Sequence, residues 1–210
     1  MSEWILNRNY NDRGEYEPGD QFTSWLRVDK KQRWGIANAS GIRTLASGYN
    51  NKKIKKNQYS CVVLVSNYVN VAWDNPWNDK LNDDSEKLDY WGDAKFHKTN
   101  RVDDWRGNKI LVRIHEEILL KNIKKIPPFF YFRRFSQGKV TFMGTFVLEN
   151  LIKKPFYDED NDALILNYLC KMKRLPESVI NSDWIIHRAK TMNDNTKYAP
   201  SSWKKYLTTL

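Results

Sequence analysis

Two aromatic stretches face each other across a short turn, and they limit what this chain can fold into more than any other feature. Residues 129–135 (FFYFRRF) and 140–147 (VTFMGTFV) are built from side chains that fit a pleated surface. Ser136, Gln137 and Gly138 between them supply a turn, so the segment predicts a β-hairpin. A second run, residues 59–66 (YSCVVLVS), is short and β-branched and predicts a buried central strand. Residues 68–73 alternate beside it and add one more candidate strand.

Around these strands the chain reads in blocks. Residues 1–60 look irregular with short strands, punctuated by Gly14, Pro18, Gly19, Gly35, Gly41 and Gly48. Residues 74–93 carry seven acids against two lysines and read as a long polar loop. Residues 109–115 (KILVRIH) suit a strand or the start of a helix, while 163–170 (ALILNYLC), 184–188 and 201–206 suit helices bounded by Pro176 and Pro200. Strands first and short helices last predict an α+β fold, with a barrel-like, mainly antiparallel sheet. One domain over 1–210 is expected, with a β-rich core to about residue 155 and a helical tail from about 156 to 210. A doubly wound α/β fold is disfavoured. The ending just after a helical segment suits a domain taken from a longer protein.

Charge narrows the function. The net charge is +10, and residues 94–154 hold fourteen Lys or Arg against five acids, so a polyanion is the expected partner. Nine Trp in a polar chain add rings that can stack on bases. For any one of them a place in the core is the competing reading. Cys61 and Cys170 both lie in apolar runs, which suits buried reduced thiols and a cytoplasmic location. The N-terminus has no secretory pattern, and nowhere do eighteen apolar residues run together.

No P-loop, nucleophile elbow, HExxH or paired CxxC is present, and His97, His115 and His187 lack ligand spacing. No cofactor and no metal site is expected. Within 91–95 (WGDAK), Asp93 and Lys95 resemble half of a Mg²⁺-dependent nuclease site, which would need a second carboxylate. The same residues fit a pocket for a base flipped out of the helix. Asp93 would accept the cytosine N4 hydrogen, and Tyr90 or Trp91 would stack on the ring. A core Trp and an Asp in a turn fit equally well. Arg33, Asn38, Ser40 and Arg43 suit a loop along phosphates, as do Lys52 and Lys53. Arg133 and Gln137 at the hairpin could enter a groove. Solvated basic loops are the commoner fate of such residues.

Five segments carry a resemblance: WGIANASGIR (34–43), AWDNPWND (72–79), DYWGDAK (89–95), WIIHRAK (184–190) and YAPSSWKKYL (198–207). They resemble the N-terminal, SRA-like recognition domain of AspBHI-type restriction endonucleases that depend on modified cytosine. The resemblance spans nearly the whole chain. It implies a twisted sheet that binds double-stranded DNA and flips 5-methylcytosine or a related base. Cleavage would then lie in a separate C-terminal nuclease domain or a partner subunit, so the chain itself is not an enzyme. On this resemblance Asp93 reads the base, Tyr90, Trp91 or Trp73 forms the walls, and Arg33, Asn38, Ser40, Arg43 and Lys95 contact phosphate or groove. The seven acids before the pocket must be held away from phosphates. The alternatives are the small nuclease and an RNA-binding or protein-interaction module.

Overall fold

The computed structural model describes residues 3–12, 41–47, 55–69, 78–97, 101–191, 193–195 and 197–210. Among them the strands are β1 (Glu3–Ile5), β2 (Asn9–Asn11), β3 (Gly41–Ser47), β4 (Lys55–Asn67), β5 (Lys80–Leu81), β6 (Lys87–Trp91), β7 (Phe129–Ser136), β8 (Lys139–Asp158), β9 (Ala163–Arg174) and β10 (Val179–Asn181). The helices are α1 (Arg106–Leu119), α2 (Ser182–Lys190) and α3 (Ser201–Thr209).

The main sheet runs β3-β4-β7-β8-β9-β6-β5, with β2 paired to β8, and β1 pairs with β10 outside it. Neighbours are antiparallel except β4 and β7, which run parallel with Val62 opposite Phe129. A parallel pair needs a crossover connection, and β5, β6 and α1 lie in the chain between these two strands. The fold is α+β as expected. Among the described residues the sheet is an open path ending on β3 and β5 and not a closed barrel.

Burial without alternation marks the sheet's centre. Val62 to Val65 on β4 and Phe129 to Phe132 on β7 are all buried, because both faces of these strands are covered. Successive side chains leave a strand on opposite sides, so the two strands feed two cores. Val63, Val65, Phe130 and Phe132 join Trp4, Phe142, Trp184 and Trp203 under α2 and α3. Val62, Leu64, Phe129 and Tyr131 join Leu111, Ile114, Cys170 and Met172 under α1. In the first core the Trp4 and Phe132 rings meet edge-on at 4.9 Å, as do Phe130 and Trp184 at 5.9 Å. Each such pair adds about 1 kcal/mol beyond its buried area.

The tail segment 184–190 does structural duty through Arg188, which is fully buried. Its Nε donates to the Ser60 carbonyl at 2.9 Å, one terminal nitrogen donates to the Ile126 carbonyl at 3.0 Å, and the other reaches Asn195. Its guanidinium also lies over the Trp203 ring, which ties α2 to β4 and α3. Burial lowers its pKa to about 9.

Two expected segments differ in the structure. Residues 163–170 form a strand and not a helix: Ala163–Arg174 pairs along nearly its whole length with β8, from Asp158 opposite Ala163 to Phe146 opposite Arg174. Leu and Ala favour a helix locally, but the partner strand and a turn with Asp162 at φ 48° override that preference. The helical tail therefore begins at Ser182 and not near 156. Within the supposed polar loop 74–93, β5 and β6 form a hairpin in which Leu88 and Tyr90 alternate inward. Residues 109–115 lie in a helix, with Ile110, Leu111, Ile114 and Ile118 on one face. The hairpin of β7 and β8, the buried β4, and helices α2 and α3 lie where the sequence places them.

Candidate nucleic-acid interface

The segment leaving β6, Trp91-Gly92-Asp93, is held by side chains at three of its backbone groups. Asp79 Oδ1 accepts the Trp91 N–H at 2.8 Å, and Asn108 Oδ1 accepts the Asp93 N–H at 3.0 Å. Asn167 donates from Nδ2 to the Gly92 carbonyl at 3.0 Å, while the Gly92 N–H donates to the Tyr168 carbonyl. Asn108 and Asn167 are both fully buried and bonded to each other. Such a site needs Gly92: a Cβ there would lie 1.8 Å from Asn108 Oδ1.

Asp93 in turn holds α1. Its two carboxylate oxygens accept the N–H groups of Gly107 and Asn108 at 2.8 and 3.0 Å, in the first turn of the helix. Those N–H groups have no partner inside the helix, and the positive end of the helix dipole favours the carboxylate. Gly107 lets the carboxylate approach, since a Cβ would stand 2.7 Å from it. Each oxygen keeps a second lone pair for another donor.

A second polar group lies on the α1 side of the sheet and closes on itself. Ser66 donates to Asp79 Oδ2 at 2.6 Å, Tyr131 donates to Ser66 at 3.0 Å, and Arg133 Nε donates to the Tyr131 hydroxyl at 3.3 Å. The Arg133 guanidinium lies 5.2 Å from the Tyr68 ring centre, and the Tyr68 hydroxyl donates to the Asp79 carbonyl at 2.8 Å. Burial raises the Asp79 pKa to about 7, against the opposing pull of Ser66, the Trp91 N–H and Arg133. Tyr90 packs edge-on to Tyr131 at 6.3 Å. Burial first, and then Asp79, Tyr131, Cys170 and Asp93, hold its phenol well above the usual range. Tyr90 thus stands between the two carboxylates as a neutral group.

The acids of the 74–93 segment are accounted for in part by these contacts. Asp79 is buried in the ring, Asp93 caps α1, and Asp89 pairs with Lys171 at 2.5 Å. Asp83, Asp84 and Glu86 are exposed at the β5–β6 turn.

The sequence-predicted site residues separate accordingly. Tyr90 and Asp93 come together with Asp79. Trp91 does not join Tyr90, because neighbours on a strand point to opposite faces. Its ring meets Phe156 at 5.0 Å and lies under Lys154, in a groove of about 420 Å³ that Lys80 and Lys171 also line. Tyr90 itself is a core ring at 3% exposure, not an open stacking wall. Arg43 is half-buried on β3 opposite Val63. Lys95 is exposed, 4.0 Å from Asp160, in a second cavity of about 530 Å³ with Phe96, Arg101, Lys153 and Leu166. Arg133 belongs to the ring, and Gln137 is exposed at the hairpin tip. Arg33, Asn38, Ser40, Lys52, Lys53 and Trp73 lie outside the described residues. Among the described residues no three His, Cys, Asp or Glu side chains gather as a metal would require.

Sequence reasoning missed Ser66, Tyr131, Asn108 and Asn167. Only the Gly107-Asn108 pair ahead of an amphipathic run carried a local signal, that of a helix start. The others act through contacts between distant parts of the chain.

The fold has solved counterparts. It superimposes on the DNA modification-dependent restriction endonuclease AspBHI with a TM-score of 0.73 at 21% identity, over 99% of this chain and 51% of that one. The MspJI restriction endonuclease in complex with a 27-mer oligonucleotide gives 0.72 at 19% identity, over 98% and 50%. The DNA recognition domain of the cytosine modification-dependent restriction endonuclease LpnPI gives 0.66 at 21%, over 93% and 84%. The chain thus spans about half the length of AspBHI and of MspJI. No curated protein matches it in sequence. The family model for the N-terminal region of restriction endonuclease AspBHI matches residues 4–209, and the chain belongs to that family.

Proposed function

We propose that this chain is a DNA-recognition domain of a restriction system, binding double-stranded DNA and reading 5-methylcytosine or a related modified cytosine flipped from the helix. The observation that carries the reading is the Trp91–Asp93 loop. A carboxylate fixed by two helix N–H groups, beside a second buried carboxylate, has the rigidity needed to present an acceptor to a cytosine N4 amino group. Family membership, and the likeness to AspBHI and LpnPI, both modification-dependent restriction endonucleases, support the same reading. Lys95, Arg101 and Lys153 beside the loop, and Arg133 across the sheet, supply cations for phosphates. Cleavage belongs to a separate nuclease domain or subunit. The cytoplasm suits Cys61 and Cys170, two buried unpaired thiols that burial keeps protonated.

A C5 methyl contributes about 1 kcal/mol or less through apolar contact. Larger discrimination must come from easier extrusion or from pocket shape.

The test is fluorescence-anisotropy binding to matched duplexes with and without one 5-methylcytosine, at fixed salt. A 2-aminopurine next to the target reports unstacking. Tighter binding of the methylated duplex with a rise in 2-aminopurine fluorescence is expected, and Asp93→Ala is expected to abolish the preference. Equal binding of both duplexes rejects modified-base reading. The same chain incubated with plasmid DNA and Mg²⁺ is expected to leave it uncut.

A further inference from the structure

We propose that Asp79 is a positioning residue that couples Arg133 to the Trp91–Asp93 loop, so that a phosphate held by Arg133 and a base seated at the loop influence each other. The proposal rests on the modified-base reading above and adds a regulated coupling to it. Its basis is the closed ring of contacts. From Arg133 the path runs through the Tyr131 hydroxyl and Ser66 Oγ to Asp79 Oδ2, and from Asp79 Oδ1 to the Trp91 N–H. A return path runs from Arg133 over the Tyr68 ring and through the Tyr68 hydroxyl to the Asp79 carbonyl. Asp79, Ser66 and Tyr131 are buried, whereas Arg133 is half-exposed where the chain enters the β7–β8 hairpin tip. The ring therefore has one end at the surface and the other at the loop.

The chemistry of the ring gives the coupling its sign. Hydrogen bonds in a chain polarise one another, and the effect is larger where water is excluded. The Arg133 cation favours the charged form of Asp79, while burial opposes it, leaving the carboxyl near the balance point at neutral pH. A phosphate drawn to Arg133 offsets that cation and tips Asp79 toward its protonated form. A neutral carboxyl is a weaker acceptor for the Trp91 N–H, so the loop feels the phosphate. Binding then takes up a proton and strengthens as pH falls through about 7.

The groups facing Asp79 leave it as the one that titrates in this range. Tyr90 on β6, Tyr131 on β7 and Cys170 on β9 are all pushed upward by burial and by Asp79 itself. Arg133 enters as the donor at the far end of the ring, Ser66 and the Trp91 N–H do not titrate, and Tyr68 acts through its ring and hydroxyl. Asp93, which also faces Tyr90, accepts the two N–H groups of α1.

The test measures anisotropy binding of the whole chain to the methylated and unmethylated duplexes from pH 5.5 to 8.5 at fixed salt. In the wild type the methylated-to-unmethylated affinity ratio is expected to change about threefold or more between pH 6 and 8. Asp79→Asn and Arg133→Ala are each expected to flatten that profile, and the double variant to be no flatter than either one. A Tyr68→Phe, Tyr131→Phe double variant removes both hydroxyls at constant ring volume, so it cuts both paths even if Asp79→Asn disturbs folding, and thermal melts establish which variants are folded. A folded Asp79→Asn, or a folded Tyr68→Phe, Tyr131→Phe double variant, that keeps the wild-type pH profile overturns the coupling and leaves base reading intact. Equal binding of both duplexes by the wild type at every pH overturns base reading, and the coupling with it.

Discussion

The two faces of the same strand, β7, are built to different ends. Phe130 and Phe132 point to the side covered by α2 and α3, where they pack against the Trp4 and Phe142 rings. Phe129 and Tyr131 point to the side covered by α1, and the strand continues into Arg133. On the first side Trp4, Trp184 and Trp203 are buried to within 1% of completely. On the second side Asp79, Ser66, Asn108 and Asn167 are buried as deeply or nearly so, each inside a hydrogen-bonded network. Polar groups cost free energy to bury and contribute little net stability even when paired. The first side buries polar groups too, Arg188 and Asn193 among them, but these bind the backbone of β4 and fasten α2 to it, whereas Asp79, Asn108 and Asn167 bind the Trp91–Asp93 loop.

The comparison is broken most directly from the apolar side. Trp184→Ala is expected to cost about 4 kcal/mol in urea unfolding, because a large buried ring leaves a cavity, while the folded fraction keeps its preference between duplexes. A changed preference would mean that the two faces are not separable. On the polar side, Gly92→Ala forces a Cβ into Asn108 and is expected to cost roughly 3 kcal/mol and to remove the preference together with stability. Stability without preference loss would show that the loop tolerates displacement.

Asp79 sharpens the contrast through pH. Its folded pKa is raised above the unfolded value, so its stabilising contribution is full below the unfolded pKa and is lost as pH rises through about 7. Wild-type stability is therefore expected to fall by about 1.4 kcal/mol per pH unit between pH 5 and 7 from this group. In Asp79→Asn, Tm measured by circular dichroism at pH 5 and pH 7 should lose that part of the difference. The smallest effect is expected at the helix cap: Asp93→Ala should cost about 1 kcal/mol, with Asp93→Asn recovering part of it, since an amide oxygen still accepts one N–H. Full stability in Asp93→Ala would show that α1 does not depend on this carboxylate.

How far the site was legible depended on how local its determinants were. Asp93 and Tyr90 stood out as a short motif, and the structure brings them together beside Asp79. Trp91 belonged to the same motif, yet strand alternation sends its ring into the groove with Phe156 and Lys154. Asp79 looked like one acid among seven in a polar stretch. Nothing in its neighbourhood announces that Ser66, thirteen residues upstream, and the Trp91 N–H, twelve downstream, complete its bonds.

By itself the sequence determined the aromatic β7–β8 hairpin, the buried β4, helices α2 and α3, and the basic surface. Each of these follows from side-chain pattern and turn chemistry within a window of about twenty residues. Tertiary structure alone decided that residues 163–170 extend as a strand, that the acidic stretch folds into β5 and β6, and that Asp79 and Asp93 are held instead of solvated. The reason is physical: a carboxylate is buried, and a helix-favouring segment extended, only when partners far along the chain supply the hydrogen bonds, as β8 does for β9 and α1 does for Asp93.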